Sequence, residues 1–267
     1  MRLVLLHTIV AAVIVFLLLP LVTIVISSFS SGAPLAFPPP GFTISWYKSI
    51  SPDFIEALKM SLIIGAGTTV IATITGTLAA LALQRGAMVG RRLLTTICMS
   101  PLMVPTLVIG VAAFQYSLFI WDFVGLSIAD KPLGIMLGHS AFTIPFVVRS
   151  ALAAQAHYDM SLEEAALNLG ATPIQAFFKV TLPLLAPGVV AGAIFAFLAS
   201  FDDVPVALFL GGTSTVTLPV KIFTSIEFSF DASVMAISTL VIVGSMLLML
   251  LIDRIIGLET FLGSGRA

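Results

Sequence analysis

The sequence predicts an all-α integral membrane protein with six transmembrane helices and both termini on the inner side. Three observations carry that expectation. The 267 residues are 59% hydrophobic and only 9% charged, with a mean hydropathy of +1.15, whereas soluble domains hold about 25% charged residues. Six apolar runs are long enough to cross about 30 Å of hydrocarbon, which takes roughly 20 helical residues. The arginines fall to one side of those runs. Lipid offers no hydrogen-bond partner to the backbone, so each run must bond internally, and helices follow.

In chain order the expected spans are residues 3–26, 57–83, 93–120, 133–156, 188–210 and 234–257. The first follows Arg2 and has the look of a signal peptide. Its apolar run is too long, however, and Ser27-Ser28-Phe29 is a poor small-residue cleavage site, so it reads as a retained span. Between the first two spans, Pro38-Pro39-Pro40 favours extended backbone, and Trp46-Tyr47-Lys48 suits a headgroup layer. The second span carries Ala72, Gly76 and Ala80 at intervals of four, a stripe that lets another helix come close. Pro101, Pro105 and Gly110 interrupt the third span and Pro145 the fourth, where each proline removes a backbone bond and permits a kink.

With the N-terminus in the cytoplasm, Arg2, Arg85, Arg91, Arg92, Arg149, Arg254 and Arg266 all lie on the inner side or in the inner half of a span. The positive-inside rule therefore selects N-in and C-in. That choice places the polar segment between the fourth and fifth spans, residues 157–187, in the cytoplasm.

This segment has strong local signals. Ser161-Leu162-Glu163-Glu164 reads as a capping box that starts a helix at Leu162. Gly170 can take the left-handed conformation that ends it, and Thr172-Pro173 offers the N-cap and first-turn proline of a second helix. The prediction is a helical elbow with a fixed bend.

Glu164-Ala165-Ala166, then Gly170, then Val180-Thr181-Leu182-Pro183 resembles the EAA loop of ABC importer permeases. That pattern is Glu-Ala-Ala, three residues, Gly, nine residues, Ile, any residue, Leu-Pro. Every spacing matches, with Val180 in place of Ile. The resemblance implies the type I ABC importer permease fold, with residues 1–267 forming a single transmembrane permease domain in a bacterial inner membrane. It also implies that the elbow is a pair of coupling helices seated on a cytoplasmic ABC ATPase dimer. The coupling residues would be Ser161, Glu163, Glu164, Ala165, Ala166, Gly170, Ala171, Thr172, Pro173, Leu182 and Pro183. Further partners implied are a second permease subunit and a periplasmic substrate-binding protein.

A second resemblance lies further along. Phe201-Asp202-Asp203-Val204, Gly211-Gly212 and Thr217-Leu218-Pro219-Val220-Lys221-Ile222-Phe223 look like the polyamine (spermidine/putrescine)-type subfamily. This implies a polyamine or related small organic solute and a heteromeric permease pair. The chain departs from that pattern after Asp203, with Pro205 and Val206-Ala207-Leu208 in place of a more polar continuation.

Ionisable residues inside a membrane are costly and usually functional. Phe201, Asp202 and Asp203 are therefore candidates for the substrate path or an outer gate, with the frayed end of a span as the plainer alternative. Thr217 can cap a short helix with Pro219 in its first turn, running toward Phe228. Lys221, Glu227 and Asp231 on that outer segment are candidate contacts for a docking protein.

Other chemistries find little support. The net charge is −1, and no clustered Lys or Arg run grips nucleic acid. Cys98 is the single cysteine, so neither an intramolecular disulfide nor a multi-cysteine metal site can form. His7, His139 and His157 show no metal spacing, and His139 reads as a buried packing residue. No cofactor is expected in this chain. It holds no Gly-x-x-x-x-Gly-Lys-Ser/Thr loop, so ATP and Mg belong on a partner ATPase. The competing class is an ion-gradient-driven carrier or channel, which would need coupling-ion ligands near the midplane and repeated halves.

Overall fold

The computed structural model describes residues 2–32, 38–85, 90–155, 161–228 and 233–256. These form α1 (Arg2–Ser27), α2 (Ser45–Lys48), α3 (Pro52–Arg85), α4 (Arg91–Met99), α5 (Thr106–Val124), α6 (Pro132–Gln155), α7 (Ser161–Asn168), α8 (Pro173–Ala176), α9 (Leu182–Phe201), α10 (Pro205–Leu210), α11 (Leu218–Phe228) and α12 (Ser233–Ile256). A 3-10 turn, Ser100–Met103, links α4 toward α5, and a π-helical turn, Phe177–Thr181, joins α8 to α9. Among the described residues the only β feature is an isolated antiparallel bridge between Ser30 and Phe42.

Five helical segments are long and apolar enough to cross a bilayer: Val4–Ser27, Pro52–Gln84, Thr106–Val124, Pro132–Gln155 and Pro173–Phe201. α12 occupies the place of the sixth expected span and is 24 residues long.

Two expected spans need correction. Residues 93–120 are not one interrupted helix. The amphipathic α4 stops at Met99, the 3-10 turn follows, and Val104 is extended at ψ 130° before α5 begins. Pro105 supplies the reason for the break, because Val104 before it is pushed out of helical geometry, whereas Ser100 before Pro101 stays helical at φ −57° and Pro101 falls in the first turn of the 3-10 segment. The expected span 188–210 is displaced as well. α9 is fed continuously from Pro173 and ends at Phe201, and Val206-Ala207-Leu208 belong to the separate α10.

The chain divides into two compact units. One comprises the described residues within 1–56 and 221–255, the other the described residues within 57–220 together with Ile256. In the first, the Trp46-Tyr47 pair turns its polar tips onto the turn after α1. Trp46 Nε1 donates to Ser30 O at 2.7 Å, and Tyr47 OH lies 2.6 Å from Ser28 Oγ. Lys221 Nζ pairs with Asp53 Oδ2 at 3.1 Å and sits 5.9 Å from the centroid of the Phe54 ring, while Glu227 is exposed. Asp231 lies outside the described residues, as do His157 and Arg266.

In the second unit, α6 is the central helix. Val147 and Val148 are fully buried, and Gly192 of α9 comes so close that an added Cβ would lie 2.6 Å from Val147 Cα. The expected small-residue stripe on α3 is buried too. Ala72 and Ala80 show no exposed surface, and a Cβ on Gly76 would lie 2.7 Å from Val147 Cβ. One apolar cluster gathers Ile64, Ile135, Phe142, Val206 and Leu210. Another gathers Ala80, Val148, Ala151 and Leu185, with Leu94 and Cys98 of α4 packed against it.

Candidate functional site

The elbow is built by three local devices. α7 carries Glu163 and Glu164 in its first described turn, where carboxylates complement the positive helix end. At its far end Gly170 takes φ +90°. Ala171 N–H bonds to Ala166 O at 3.1 Å and Gly170 N–H to Leu167 O at 3.0 Å, the paired 6→1 and 5→2 bonds of a Schellman motif. The next helix starts at once. Thr172 Oγ accepts from Gln175 N–H at 3.3 Å, and Thr172 N–H donates to Gln175 Oε1 at 3.0 Å, a reciprocal capping box with Pro173 in the first turn. Gln175 was not singled out by sequence, although it stands at the Thr-x-x-Gln spacing that signals such a box.

α8 then widens into the π turn, where Leu182 N–H reaches back five residues to Phe177 O. Pro183 follows in the first turn of α9. A proline cannot donate to the carbonyl four residues earlier and its ring crowds that carbonyl, so the wider turn relieves the conflict at the Leu-Pro step. π turns of this kind concentrate at functional sites.

The two glutamates divide their roles. Glu163 is half-buried and its Oε2 accepts from Thr181 Oγ at 2.6 Å, whereas Glu164 is exposed. Leu162, Leu167, Leu169, Ile174 and Phe178 are exposed on the same short stretch, with Leu169 at 89%. Ala165, Thr172 and Pro173 are exposed beside them, Ala166 and Ala171 are half-buried, and Pro183 is exposed next to a half-buried Leu182. Such a density of apolar surface, flanked by a free carboxylate, suits a protein partner.

The second candidate region lies after α9, and here the adjacent aspartates part company. Asp202 is exposed. Asp203 is buried, and its Oδ1 accepts from the backbone N–H groups of Val206 at 2.8 Å and Ala207 at 3.3 Å, at the start of α10. His139 of α6 is fully buried, with Nδ1 2.7 Å from Ser200 Oγ and Nε2 3.4 Å from Asp203 Oδ1, an electrostatic contact longer than a hydrogen bond. Phe201 is half-buried and stacks on Phe197 at 5.8 Å. Sequence reasoning missed Ser200 and the partnership of His139 with Asp203. The ordinary N-cap signal would not have found it, because Asp203 stands one residue ahead of the N-cap Val204 and still reaches the N–H groups of Val206 and Ala207.

Thr217 does not cap α11 as expected. Its hydroxyl is buried without a hydrogen-bond partner among the described residues, and Leu218 N–H donates instead to Ser61 Oγ of α3 at 2.8 Å. At the same end Asp130, at φ +54°, accepts from Thr215 N–H at 2.9 Å and holds the Gly211–Thr215 turn.

The division of labour between the aspartates is testable. Asp203→Ala leaves two backbone donors of α10 unmatched and is expected to lower stability by about 2 kcal/mol. Asp202→Ala should stay within about 0.5 kcal/mol of the parent protein. Thermal unfolding of the detergent-purified protein measures both, and equal losses would refute the assignment.

Residues 72–258 match the family described as binding-protein-dependent transport system inner membrane component. The chain belongs to this family. It is 32% identical over 230 residues to the putrescine transport system permease protein PotI of Escherichia coli (strain K12), covering 85% of this chain and 82% of that one. It is 31% identical over 238 residues to the spermidine/putrescine transport system permease protein PotC of Haemophilus influenzae, covering 88% and 90%. Among solved structures it resembles a bacterial ABC transporter involved in the import of the acidic polysaccharide alginate, at TM-score 0.73 and 18% identity over 94% of this chain and 95% of that one. It also resembles the MetNI methionine ABC transporter at TM-score 0.59 and 22% identity, over 80% and 98%.

The protein is thus a multi-pass inner-membrane permease subunit of an ABC importer. Family membership decides against the ion-gradient carrier that the sequence had kept as an alternative.

Proposed function

We propose that the elbow of this permease is the seat of a cytoplasmic ABC ATPase dimer, and that the solute it moves is a polyamine. The observation that carries the first part is the outward display of Glu164, Leu169, Ile174 and Phe178 on a bend held by Gly170 and by the Thr172–Gln175 box. The chain crosses the membrane six times with both termini in the cytoplasm, which puts the elbow where ATP is. ATP and Mg sit on the ATPase, a second and related permease completes the pore, and a periplasmic binding protein delivers the solute. Closure of the ATPases on ATP draws the elbows together and opens the pore outward, and hydrolysis resets it. Taking an inward:outward ratio from 99:1 to 1:99 needs about 5.5 kcal/mol of differential binding, and the elbow contacts must transmit it.

For the solute, the support is that relatives named as putrescine and spermidine/putrescine permeases align over most of this chain. The exposed Asp202 after α9 is a suitable contact for an amine cation. The decisive experiment uses inverted and right-side-out vesicles carrying the assembled transporter. Ala171→Cys fitted with a short crosslinker is expected to capture the ATPase, and putrescine uptake is expected to require ATP and survive a protonophore. Vesicles that transport but never yield the crosslinked pair would refute the docking assignment, and uptake abolished by the protonophore alone would refute the ATP drive.

A further inference from the structure

α7 presents a mechanical problem. None of its side chains is buried, and it joins α8 through Gly170 at φ +90°, where an added Cβ would meet nothing within 4 Å. Such a joint does not by itself fix α7 to the helix that follows. Across that joint lies the bond from Thr181 Oγ to Glu163 Oε2, 2.6 Å long and spanning 18 residues of sequence.

Thr181 spends its hydroxyl unusually. Thr69, Thr75, Thr95, Thr96, Thr143 and Thr239 all donate to the carbonyl four residues earlier in their own helix, the habit of helical threonines. For Thr181 that carbonyl is Phe177 O, which at the π turn accepts from Leu182 N–H, five residues on. The Thr181 hydroxyl donates out of its own helix and onto α7. Thr181 is only 2% exposed, and a bond to a carboxylate in such a site is stronger than one in water. Four residues on, Leu185 is fully buried in the cluster with Ala80, Val148 and Ala151.

We propose that the Glu163–Thr181 bond, made from the last residue of the π turn, is the strut that transmits displacement of α7 into α9. Glu163 and Thr181 are positioning residues in this role, distinct from the exposed Glu164. The inference rests on the elbow being the ATPase seat, but its structural half stands without any ATPase.

The test compares Thr181→Val, which keeps the shape and removes the donor, with Thr181→Ser, which keeps the donor. Hydrogen exchange is followed in the full-length permease, alone and assembled. Thr181→Val is expected to speed exchange of the α7 amides about tenfold while α6 and α9 keep their protection, which shows that the fold survives. In vesicles it should lower solute moved per ATP hydrolysed by about fivefold, with ATPase capture at position 171 unchanged, and Thr181→Ser should restore both values. Unchanged α7 exchange in Thr181→Val overturns the strut. Faster exchange with an unaltered solute-to-ATP ratio overturns its role in transmission. Failure of the parent elbow to capture ATPase would instead count against the docking seat, and the exchange comparison would still decide whether the strut exists.

Discussion

Gly170→Pro is expected to abolish solute uptake while leaving the permease inserted and folded. Gly170 stands at φ +90°, a region closed to proline, whose ring fixes φ near −65°. Proline would also delete the N–H that bonds to Leu167 O at 3.0 Å and force Leu169 toward extended geometry, dismantling the end of α7. Because nothing lies within 4 Å of a Cβ built at this position, the damage is conformational, not steric, and remains local to the elbow. Gly170→Ala separates the two effects. It keeps the N–H and meets only the left-handed penalty of about 1–2 kcal/mol, so uptake should fall only in part. Uptake in vesicles, normalised to inserted protein and checked by gel filtration in detergent, gives the ranking glycine, alanine, proline. Normal uptake by the proline variant would show that the bend carries no motion.

The elbow was legible because its signals are local. A glycine that must be left-handed, a Thr-Pro start and a Leu-Pro step act within a few residues of themselves, and Gly170, Thr172 and Pro173 adopt the conformations that those residue types favour. The stripe of Ala72, Gly76 and Ala80 could be read for the same reason, since helical spacing alone places the three on one face. What failed was non-local. A window of hydropathy runs through Val204–Leu210 without noticing that Asp203 bonds to the N–H groups of Val206 and Ala207 and starts a new helix there. Pro101 and Pro105 were visible, yet a membrane helix tolerates proline when its neighbours satisfy the freed groups, and only the folded chain decides between a kink and a break. His139 and Ser200 are 61 residues apart, and no periodicity links them. Glu163 stood beside the more conspicuous Glu164, and its partner Thr181 lies 18 residues further along the chain.

Gly192→Leu is expected to destabilise the bundle by about 3 kcal/mol, the upper end of the usual cost of overpacking, and to deplete folded permease from the membrane. The first added atom, Cβ, would lie 2.6 Å from Val147 Cα and 3.3 Å from Phe146 O, so the obstacle is the backbone of α6 and no rotamer change clears it. α6 cannot simply retreat. Val147 is fully buried and already faces Gly76 of α3, where a Cβ would stand 2.7 Å from Val147 Cβ. Two glycines on two different helices thus close on one valine, and relief at one contact compresses the other. Interhelical attraction in lipid relies on close van der Waals packing, because lipid supplies no hydrophobic drive between helices. A forced separation of α6 and α9 therefore removes the interaction that holds them. Gly244→Leu in α12 provides the control, since a Cβ there meets nothing within 4 Å and the change should be near neutral. The measurement is thermal unfolding in detergent beside the yield of monodisperse protein. A Gly192→Leu variant as stable as Gly244→Leu would mean that the α6–α9 approach is looser than its geometry requires, and that Val147 is not the point on which the bundle closes.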